Sequence, residues 1–352
     1  MYFQLRPIKF MQCIYTSRIF RKIIFVFLAI VFISLSNCVK EDTPDELGMS
    51  DFEELWMIID IYYPFFEFKN IDWDSIYSVY QPEFVSITES HKISQLGDLM
   101  NELKDGHANL MDEEGNYLSS YPTPRGLRDV NTFSYQLVTS YFQNALQEGD
   151  DIFRYGILAG NIGYILIVSF PQYENEYRLF DTALDYIRET VGLIIDIRHN
   201  GGGSTNASDY FISRLIGEDQ EGTIWTNRDG SYRPVIIHHP AGDYQYTKPT
   251  VLLINGKSFS TSEAMANLCK KIEHITLIGD TTGGGGGVPD EIFDLPSGLT
   301  FRVPTRYALR YDGEQVEWNG IPPDILVTQT EEDIANEHDK QLEAAIELLT
   351  EE

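Results

Sequence analysis

From residue 160 onward, short apolar runs alternate with longer stretches of helical periodicity, and this alternation constrains the fold more than any other feature. The apolar runs lie at residues 162–170, 193–197, 251–254 and 274–278. Segments with helical character lie between them, at residues 174–190, 205–216 and 261–272. Strands that alternate with helices favour a sheet covered by helices, as in α/β proteins. We therefore predict an α/β core over residues 156–350.

The segment before this core has the periodicity of a small helical bundle. Ser50-Asp51-Phe52-Glu53 fits a capping box, which predicts the start of a helix. Apolar residues at helical spacing predict further helices over residues 73–80 and 93–103. Prolines and glycine at 122–126 mark the end of the segment. We expect a helical bundle over residues 50–122 and a connector over residues 123–155.

Residues 1–38 have the layout of an export signal. They contain basic side chains but no Asp or Glu, and an apolar run at 23–35 follows the basic part. A membrane-spanning anchor is the alternative, although it usually needs about 20 apolar residues. The run ends at Leu35-Ser36-Asn37-Cys38, which resembles a bacterial lipobox. We predict a lipoprotein signal peptide, lipidation of Cys38 and an acidic tether over residues 39–49. The protein body would lie in the cell envelope, lipid-anchored to the outer membrane and either periplasmic or surface-exposed.

Charge and cysteine content narrow the classes of partner. The formal net charge is −28, and all 54 acidic residues follow Cys38, so nucleic acid phosphates would be repelled. Cys269 is the one cysteine after Cys38, which allows no internal disulfide and predicts a buried small residue. The seven histidines are scattered, without an HExxH motif or cysteine cluster. We predict neither a metal site nor a cofactor.

A cluster of serines at residues 255–263 (NGKSFSTSE) follows an apolar strand and precedes a helix that starts at about Thr261. A serine at such a turn lies near the positive end of the helix dipole, beside free N–H groups that an oxyanion can use. The same residues fit a helix cap, with Ser260 as N-cap and Glu263 as its capping-box partner. Taken alone, the segment favours the cap and leaves a nucleophilic Ser260 as the alternative.

A second strand-to-helix junction carries three consecutive glycines in the sequence DIRHNGGG at residues 196–203. Glycines allow backbone N–H groups to approach a ligand closely at a helix N-terminus. An ordinary left-handed turn is the alternative. A phosphate-binding loop does not fit, because no Gly-Lys-Ser/Thr sequence follows.

Together, the DIRHNGGG loop, the serine cluster, the strand TLIG at 276–279 and the segment GIPPD at 320–324 resemble the motifs of tail-specific (carboxy-terminal processing) serine peptidases. The resemblance spans residues 50–330. It implies a ClpP/crotonase-like peptidase core with an N-terminal helical bundle, a peptide or protein substrate and no cofactor. Residues 107–160 leave no room for the peptide-binding PDZ module that many relatives insert.

The resemblance assigns roles within the serine cluster. It places the nucleophile at Ser260, three residues before Glu263, rather than at Ser258 or Ser262. Many members of the family use a lysine base further along the chain. At that position this sequence has Gly285, within the glycine run at residues 283–287. A lysine base is therefore not expected.

The tricorn-core-like branch of the family instead takes a histidine base from the helical domain, and the segment LKDGH at residues 103–107 resembles it. This implies His107 as the base and Glu317 as an acidic residue that helps to hold the site. His199, inside the glycine loop, is the competing base, and a solvated loop acid is the alternative for Glu317. The branch has a hydroxyl beside its histidine where this chain has Gly106, so a fourth catalytic residue is not assigned.

The implied mechanism is hydrolysis through a serine acyl-enzyme. His107 would take the proton of Ser260, and the backbone N–H groups of Thr261, Gly201 and Gly202 would bind the oxyanion. We expect an exported serine peptidase of the endopeptidase or carboxy-terminal processing type. The main alternative is a non-catalytic ligand- or peptide-binding lipoprotein on the same scaffold. A glycan-binding lipoprotein is a third hypothesis, and only the predicted tether and the aromatic content support it.

Overall fold

The computed structural model describes residues 44–85 and 87–351, and for residues 44–49, 89 and 90 it describes the backbone alone. The predicted signal peptide, Cys38 and the first part of the predicted tether lie outside the described residues. Among the helices that are described, none combines the length and the apolar character that crossing a bilayer requires.

The described chain alternates helices and strands along most of its length. The helices are α1 (Pro44–Tyr62), α2 (Phe66–Lys69), α3 (Trp73–Phe84), α4 (Glu89–Asn101), α5 (Pro124–Arg128), α6 (Tyr135–Ser140), α7 (Glu174–Tyr177), α8 (Leu179–Tyr186), α9 (Thr205–Ser213), α10 (Thr261–Cys269), α11 (Glu331–Ala335) and α12 (Lys340–Glu351). The strands are β1 (Asn109–Met111), β2 (Tyr117–Ser120), β3 (Gln147–Gly149), β4 (Phe153–Leu158), β5 (Ile162–Ile167), β6 (Gly192–Asp196), β7 (Gln220–Glu221), β8 (Ile224–Asn227), β9 (Ile237–His238), β10 (Thr250–Ile254), β11 (Ile275–Gly279), β12 (Gly287–Val288), β13 (Phe293–Asp294), β14 (Thr300–Arg302), β15 (Arg306–Leu309) and β16 (Ile325–Leu326).

The core is a seven-stranded sheet in the order β16-β11-β10-β6-β5-β4-β3. Strands β16 to β5 run parallel, and β4 and β3 continue the sheet antiparallel. Every residue of β5, β6 and β10 is buried, which is why these strands read as continuous apolar runs. The predicted α/β core is confirmed. The predicted helix over residues 174–190 is instead two short helices, α7 and α8, which meet at Arg178 with an i+3 hydrogen bond from Asp181.

The N-terminal helices form a layer with their own apolar core, and strands from the far end of the chain complete it. A four-stranded sheet, β13-β14-β1-β2, contributes Leu110 and Phe301 to the same cluster as Phe52 and Leu99. Strand β14 pairs antiparallel with β1 across almost two hundred positions of sequence. The predicted bundle at 50–122 therefore shares its core with residues that follow position 290.

The first helix begins earlier than the capping box predicts. It starts at Pro44, where the missing N–H of proline costs no helical hydrogen bond, so residues 44–49 of the predicted tether are helical. The Asp51 carboxylate does not cap this helix. It is buried, accepts from the N–H of Ser297 at 2.9 Å and lies 3.3 Å from Lys92 Nζ.

A buried lysine joins the helical layer to the core. The Nζ atom of Lys69, at the end of α2, lies 2.9 Å from Asp105 Oδ2 and 2.7 Å from Glu317 Oε1, and its side chain is fully buried. Tyr63 OH accepts a further hydrogen bond from Nζ at 2.8 Å. Asp105 follows α4, whereas Glu317 belongs to the core loop after β15. Because an unpaired buried carboxylate is costly, the single ammonium stabilises both acids and holds the two layers together.

We predict that Lys69→Met destabilises the protein by about 3–5 kcal/mol, because it leaves the buried Asp105 carboxylate without its cation and Glu317 without its partner. The matched control is Lys340→Met, since Lys340 pairs with Asp333 at 2.6 Å but its side chain is 51% exposed. The control should cost about 1 kcal/mol or less. Denaturant unfolding of both variants measures the difference, and equal losses would contradict the proposed role of Lys69.

Candidate active site

Ser260 lies at the turn between β10 and α10, where the chain leaves the sheet. Its backbone has φ 59° and ψ −119°, a conformation that residues other than glycine rarely adopt. Such strain costs on the order of 1–3 kcal/mol and clusters at functional sites. The turn leads directly into the first turn of α10, where free N–H groups and the helix dipole favour negative charge.

The three serines of the cluster differ in what their hydroxyls do. Ser258 and Ser262 are buried, and each donates to a backbone carbonyl within residues 197–200, at 2.9 and 2.8 Å. Ser260 and Glu263 are arranged as a capping box, but within the described chain the hydroxyl of Ser260 makes no capping hydrogen bond. The N–H of Glu263 donates to the backbone carbonyl of Ser260 at 2.8 Å instead. The hydroxyls of Ser258 and Ser262 therefore tie two loops together, whereas that of Ser260 has no such role.

The buried carboxylate of Glu263 accepts four hydrogen bonds. Its Oε2 accepts from the N–H of Ser260 at 3.0 Å and of Gly285 at 2.6 Å. Its Oε1 accepts from the N–H of Gly284 at 2.8 Å and the hydroxyl of Thr282 at 2.6 Å. Burial raises the pKa of Glu263, and these hydrogen bonds oppose the rise. The carboxylate thus fixes the glycine run against the turn that carries Ser260.

The glycine loop runs beside this turn because β6 and β10 are parallel neighbours whose carboxyl ends meet at one edge. A Cβ on Gly202 would lie 2.8 Å from Ser260 Cβ and 2.9 Å from the Thr261 nitrogen, so the approach requires glycine. The N–H of Gly202 donates to Asn200 Oδ1 at 2.8 Å, so this predicted oxyanion donor is already engaged. The N–H groups of Gly201 and Thr261 donate to no acceptor within the described chain.

His107 and Ser260 line the same cavity, which has a volume of about 590 Å³. The His107 ring stacks on Phe259 with centroids 4.6 Å apart, and its backbone N–H donates to Asp105 Oδ1 at 2.9 Å. Nδ1 is buried and has no partner among the described residues, where no hydrogen bond joins the ring to Ser260 either. Burial lowers the pKa of His107 to about 4, Asp105 opposes this, and Arg302 lowers it further. The imidazole is therefore neutral near pH 7, the form that accepts a proton.

His199, the competing base, is engaged elsewhere. Its Nε2 lies 2.7 Å from the carbonyl oxygen of Asp129 in the connector, and its ring packs against Phe133. Its backbone φ is 61°, and the ring is not part of the wall of the cavity beside Ser260. This geometry favours His107 over His199 as the base.

Phe259 fills the space that a lysine base would need. A Cβ on Gly285 would lie 2.1 Å from Phe259 Cε2, and a Cβ on Gly106 would lie 2.8 Å from Phe259 Cζ. Real Cβ contacts essentially never fall under 3.0 Å. With the ring in this place, neither a lysine at 285 nor a hydroxyl residue at 106 fits. The sequence does not indicate this role of Phe259. The indirect sign of it is that glycine occupies both positions, 106 and 285, at which family members have functional side chains.

Glu317 is buried behind the cavity wall rather than solvated. Its Oε1 pairs with Lys69, and its Oε2 accepts from the N–H of Gly286 at 3.0 Å. Burial raises the pKa of Glu317 to about 8, Asp105 adds to the rise and Lys69 opposes it. The chain of contacts from Glu317 to His107 passes through Lys69 and Asp105. Glu317 thus holds the glycine run directly and reaches His107 only through intermediates.

Asp196 and Arg198, which contribute to the family resemblance, have a structural role. Their buried side chains form an ion pair at 2.6 Å, and Arg198 also pairs with Asp339 at 2.7 Å, just before α12. Cys269 is buried, which raises its thiol pKa to about 12. Within the described ranges, no group of three or more His, Cys, Asp or Glu side chains is placed to hold a metal ion. The cavity wall thus offers a serine, a neutral histidine and free amides, which is what acyl transfer requires.

Comparison with known proteins identifies the family of the chain. Residues 161–327 match Peptidase family S41, and residues 45–103 match the Tricorn protease C1 domain. The chain is 30% identical to a candidate peptidase from Parabacteroides merdae, with a TM-score of 0.72 over 86% of this chain and 96% of that one. The chain belongs to peptidase family S41.

The curated relatives of this S41 peptidase are longer than it is. It is 29% identical over 195 residues to a carboxyl-terminal-processing protease of Synechocystis sp., which is 54% of this chain and 44% of that protein. It is also 29% identical over 195 residues to a tricorn protease homolog of Saccharolobus solfataricus, which is 54% of this chain and 17% of that protein. The chain thus spans less than half the length of these two relatives. The predicted peptidase core with an N-terminal helical region is confirmed.

We predict that Gly285→Ala destabilises this S41 peptidase by about 1–3 kcal/mol, as overpacked cores do, because the new methyl collides with Phe259. Gly201→Ala is the matched control, since its Cβ would meet nothing within 4 Å. Its stability should match that of the wild type or rise slightly. Thermal unfolding measures both, and a Gly285→Ala variant as stable as the control would show that Phe259 does not close this space.

Proposed function

We propose that this S41 peptidase is an exported enzyme that hydrolyses peptide bonds through an acyl-enzyme at Ser260, with His107 as its base. It would act as an endopeptidase or as a carboxy-terminal processing peptidase. The observation that carries the proposal is the strained turn at Ser260, whose hydroxyl caps nothing and shares one cavity wall with a neutral histidine. The free amides beside it supply the third element of an acyl-transfer site.

The proposed reaction proceeds in two steps. His107 takes the proton of Ser260 while Oγ attacks the scissile carbonyl, and the N–H groups of Thr261 and Gly201 donate to the oxyanion. His107 then returns the proton to the leaving amine. In the second step His107 deprotonates a water molecule that attacks the acyl carbonyl, and it returns this proton to Ser260 Oγ as the bond between the acyl carbon and Oγ breaks. Glu317 supports these steps by fixing the glycine run.

A non-catalytic binding protein on the same scaffold is the second candidate. Two observations favour it: the described chain has no hydrogen bond between His107 and Ser260, and the lysine of the more common dyad is replaced by Gly285. Catalytic hydrogen bonds are often long in the absence of substrate, so the first observation alone does not decide between the two.

A fluorophosphonate probe, which reacts with activated serines, tests the proposal. Wild type should be labelled and Ser260→Ala should not. His107→Ala should slow labelling by about 100-fold or more, as loss of a general base does. His199→Ala is the matched control and should stay close to wild type. A larger loss in His199→Ala would reassign the base, and absence of labelling in folded wild type would favour the binding protein.

Export and anchoring at Cys38 form a separate part of the proposal. The basic and apolar segments before Cys38 and the lipobox-like sequence support it. In a bacterial host, wild type should carry lipid and remain in the membrane fraction after salt extraction. Cys38→Ala should lose the lipid and leave that fraction. Mass spectrometry of the mature N-terminus provides the readout, and an unmodified Cys38 would contradict the anchor.

A further inference from the structure

The wall of the cavity beside Ser260 has more cationic than anionic side chains, whereas acidic residues predominate in the chain as a whole. The sequence has 54 Asp and Glu against 26 Lys and Arg. Among the described residues that line the cavity, however, Arg302 and Arg306 are cationic and Glu263 is the one carboxylate. Both oxygens of Glu263 are already bound by backbone and hydroxyl groups, so it offers no counterion to a ligand. The wall therefore favours an anionic group.

The two arginines are not equivalent. Arg306 forms a bidentate ion pair with Asp290, from Nε at 2.5 Å and Nη2 at 2.6 Å. Arg302 donates from Nε to Asn109 Oδ1 at 2.9 Å and from Nη2 to Tyr117 OH at 2.6 Å, both neutral acceptors. In the part of the chain that the structure describes, no acidic side chain pairs with Arg302, and Nη1 donates to no acceptor. Arg302 is therefore an oriented guanidinium whose charge has no counterion.

The strand pairing places Arg302 beside the proposed base. Arg302 on β14 is paired in register with Asn109 on β1, two residues after His107. Tyr117 OH and Asn109 fix the guanidinium from two sides, so its orientation does not depend on a ligand. In serine peptidase chemistry the base returns its proton to the leaving amine, so the leaving group passes on the side of the histidine. Arg302 therefore faces the leaving-group side of the site.

We propose that Arg302 forms a carboxylate-binding subsite on the leaving-group side of Ser260, and that the preferred substrates carry a carboxylate there. The inference rests on the proposed function. A guanidinium recognises a carboxylate through parallel N–H bonds, and Arg302 retains N–H groups for this. The carboxylate is either the free C-terminus of the peptide or an acidic side chain. The charge of Arg302 lowers the pKa of His107. A bound carboxylate would offset this charge, so the imidazole would accept a proton more readily.

Binding to the full-length Ser260→Ala protein tests the subsite without requiring turnover. Three pools of short randomised peptides serve as the probe: a free C-terminus without Asp or Glu, a C-terminal amide with Asp and Glu, and a C-terminal amide without them. One of the first two pools should be retained about tenfold or more over the third, the size expected for a hydrogen bond to a charged group. Retention of the first identifies a C-terminal carboxylate, and retention of the second identifies an acidic side chain.

Substitutions in the Ser260→Ala background assign the preference to one residue. Arg302→Gln should abolish it, Arg302→Lys should weaken it because the charge stays but the planar fork is lost, and Arg306→Gln should retain it. Equal retention of all three pools, or a preference that survives both Arg302 substitutions, would overturn the subsite. Wild type that cleaves the pools without preference would overturn the subsite and leave the peptidase standing. Wild type that fails to react with the fluorophosphonate would overturn the proposed function, and with it the leaving-group side, whereas the retention test would still decide whether Arg302 binds a carboxylate.

Discussion

The carboxylate of Glu263 is buried beside the N-terminus of α10, and the positions of Ser260 and of the glycine run both depend on the hydrogen bonds that it accepts. A buried carboxylate without partners would be strongly destabilising. Four donors surround it, three of them backbone N–H groups, which can only reach it if the chain follows one path. The hydrogen bond from the Ser260 N–H to the Glu263 carboxylate thus stabilises the strained backbone conformation of Ser260. The sequence alone predicts Glu263 as a capping-box partner of Ser260. This accounts for one of its four hydrogen bonds and misses the three from Thr282, Gly284 and Gly285.

Phe259 links two departures from the family pattern, one from the members with a lysine base and one from the tricorn-core-like branch. The lysine of the dyad and a hydroxyl beside the histidine are both replaced by glycine, and both glycines face the same ring. A single steric cause therefore accounts for both, and restoring either side chain would require the ring to move. The ring also supports the imidazole of His107 by stacking, which orients it in the absence of a hydrogen-bonded hydroxyl. His107 is consequently held by packing and by the hydrogen bond of its backbone N–H to Asp105.

The sequence identifies features whose cause is local and misses those that depend on distant pairing. Buried parallel strands are visible as apolar runs, and the serine turn is visible as a strand, a loop and a helix start. Ser258 and Ser262 could be set aside only through the family resemblance, and their hydrogen bonds to the neighbouring loop explain why they are present. The role of Lys69 has no local signature, because its partners lie on loops far along the chain. The same holds for Arg302, whose position beside His107 follows from the pairing of β14 with β1.

The site also explains how an acidic protein can select an anionic group. At physiological ionic strength the Debye length is about 8 Å, so most of the surface charge is screened from a ligand inside the cavity. At contact distance the unpaired guanidinium of Arg302 acts in a partly desolvated setting, where screening is weakest. Arg306 shows the contrast, because it lines the same cavity but is paired with Asp290, which does not. The preference for an anionic ligand therefore depends on the unpaired Arg302, and the negative net charge of the protein has little influence on it.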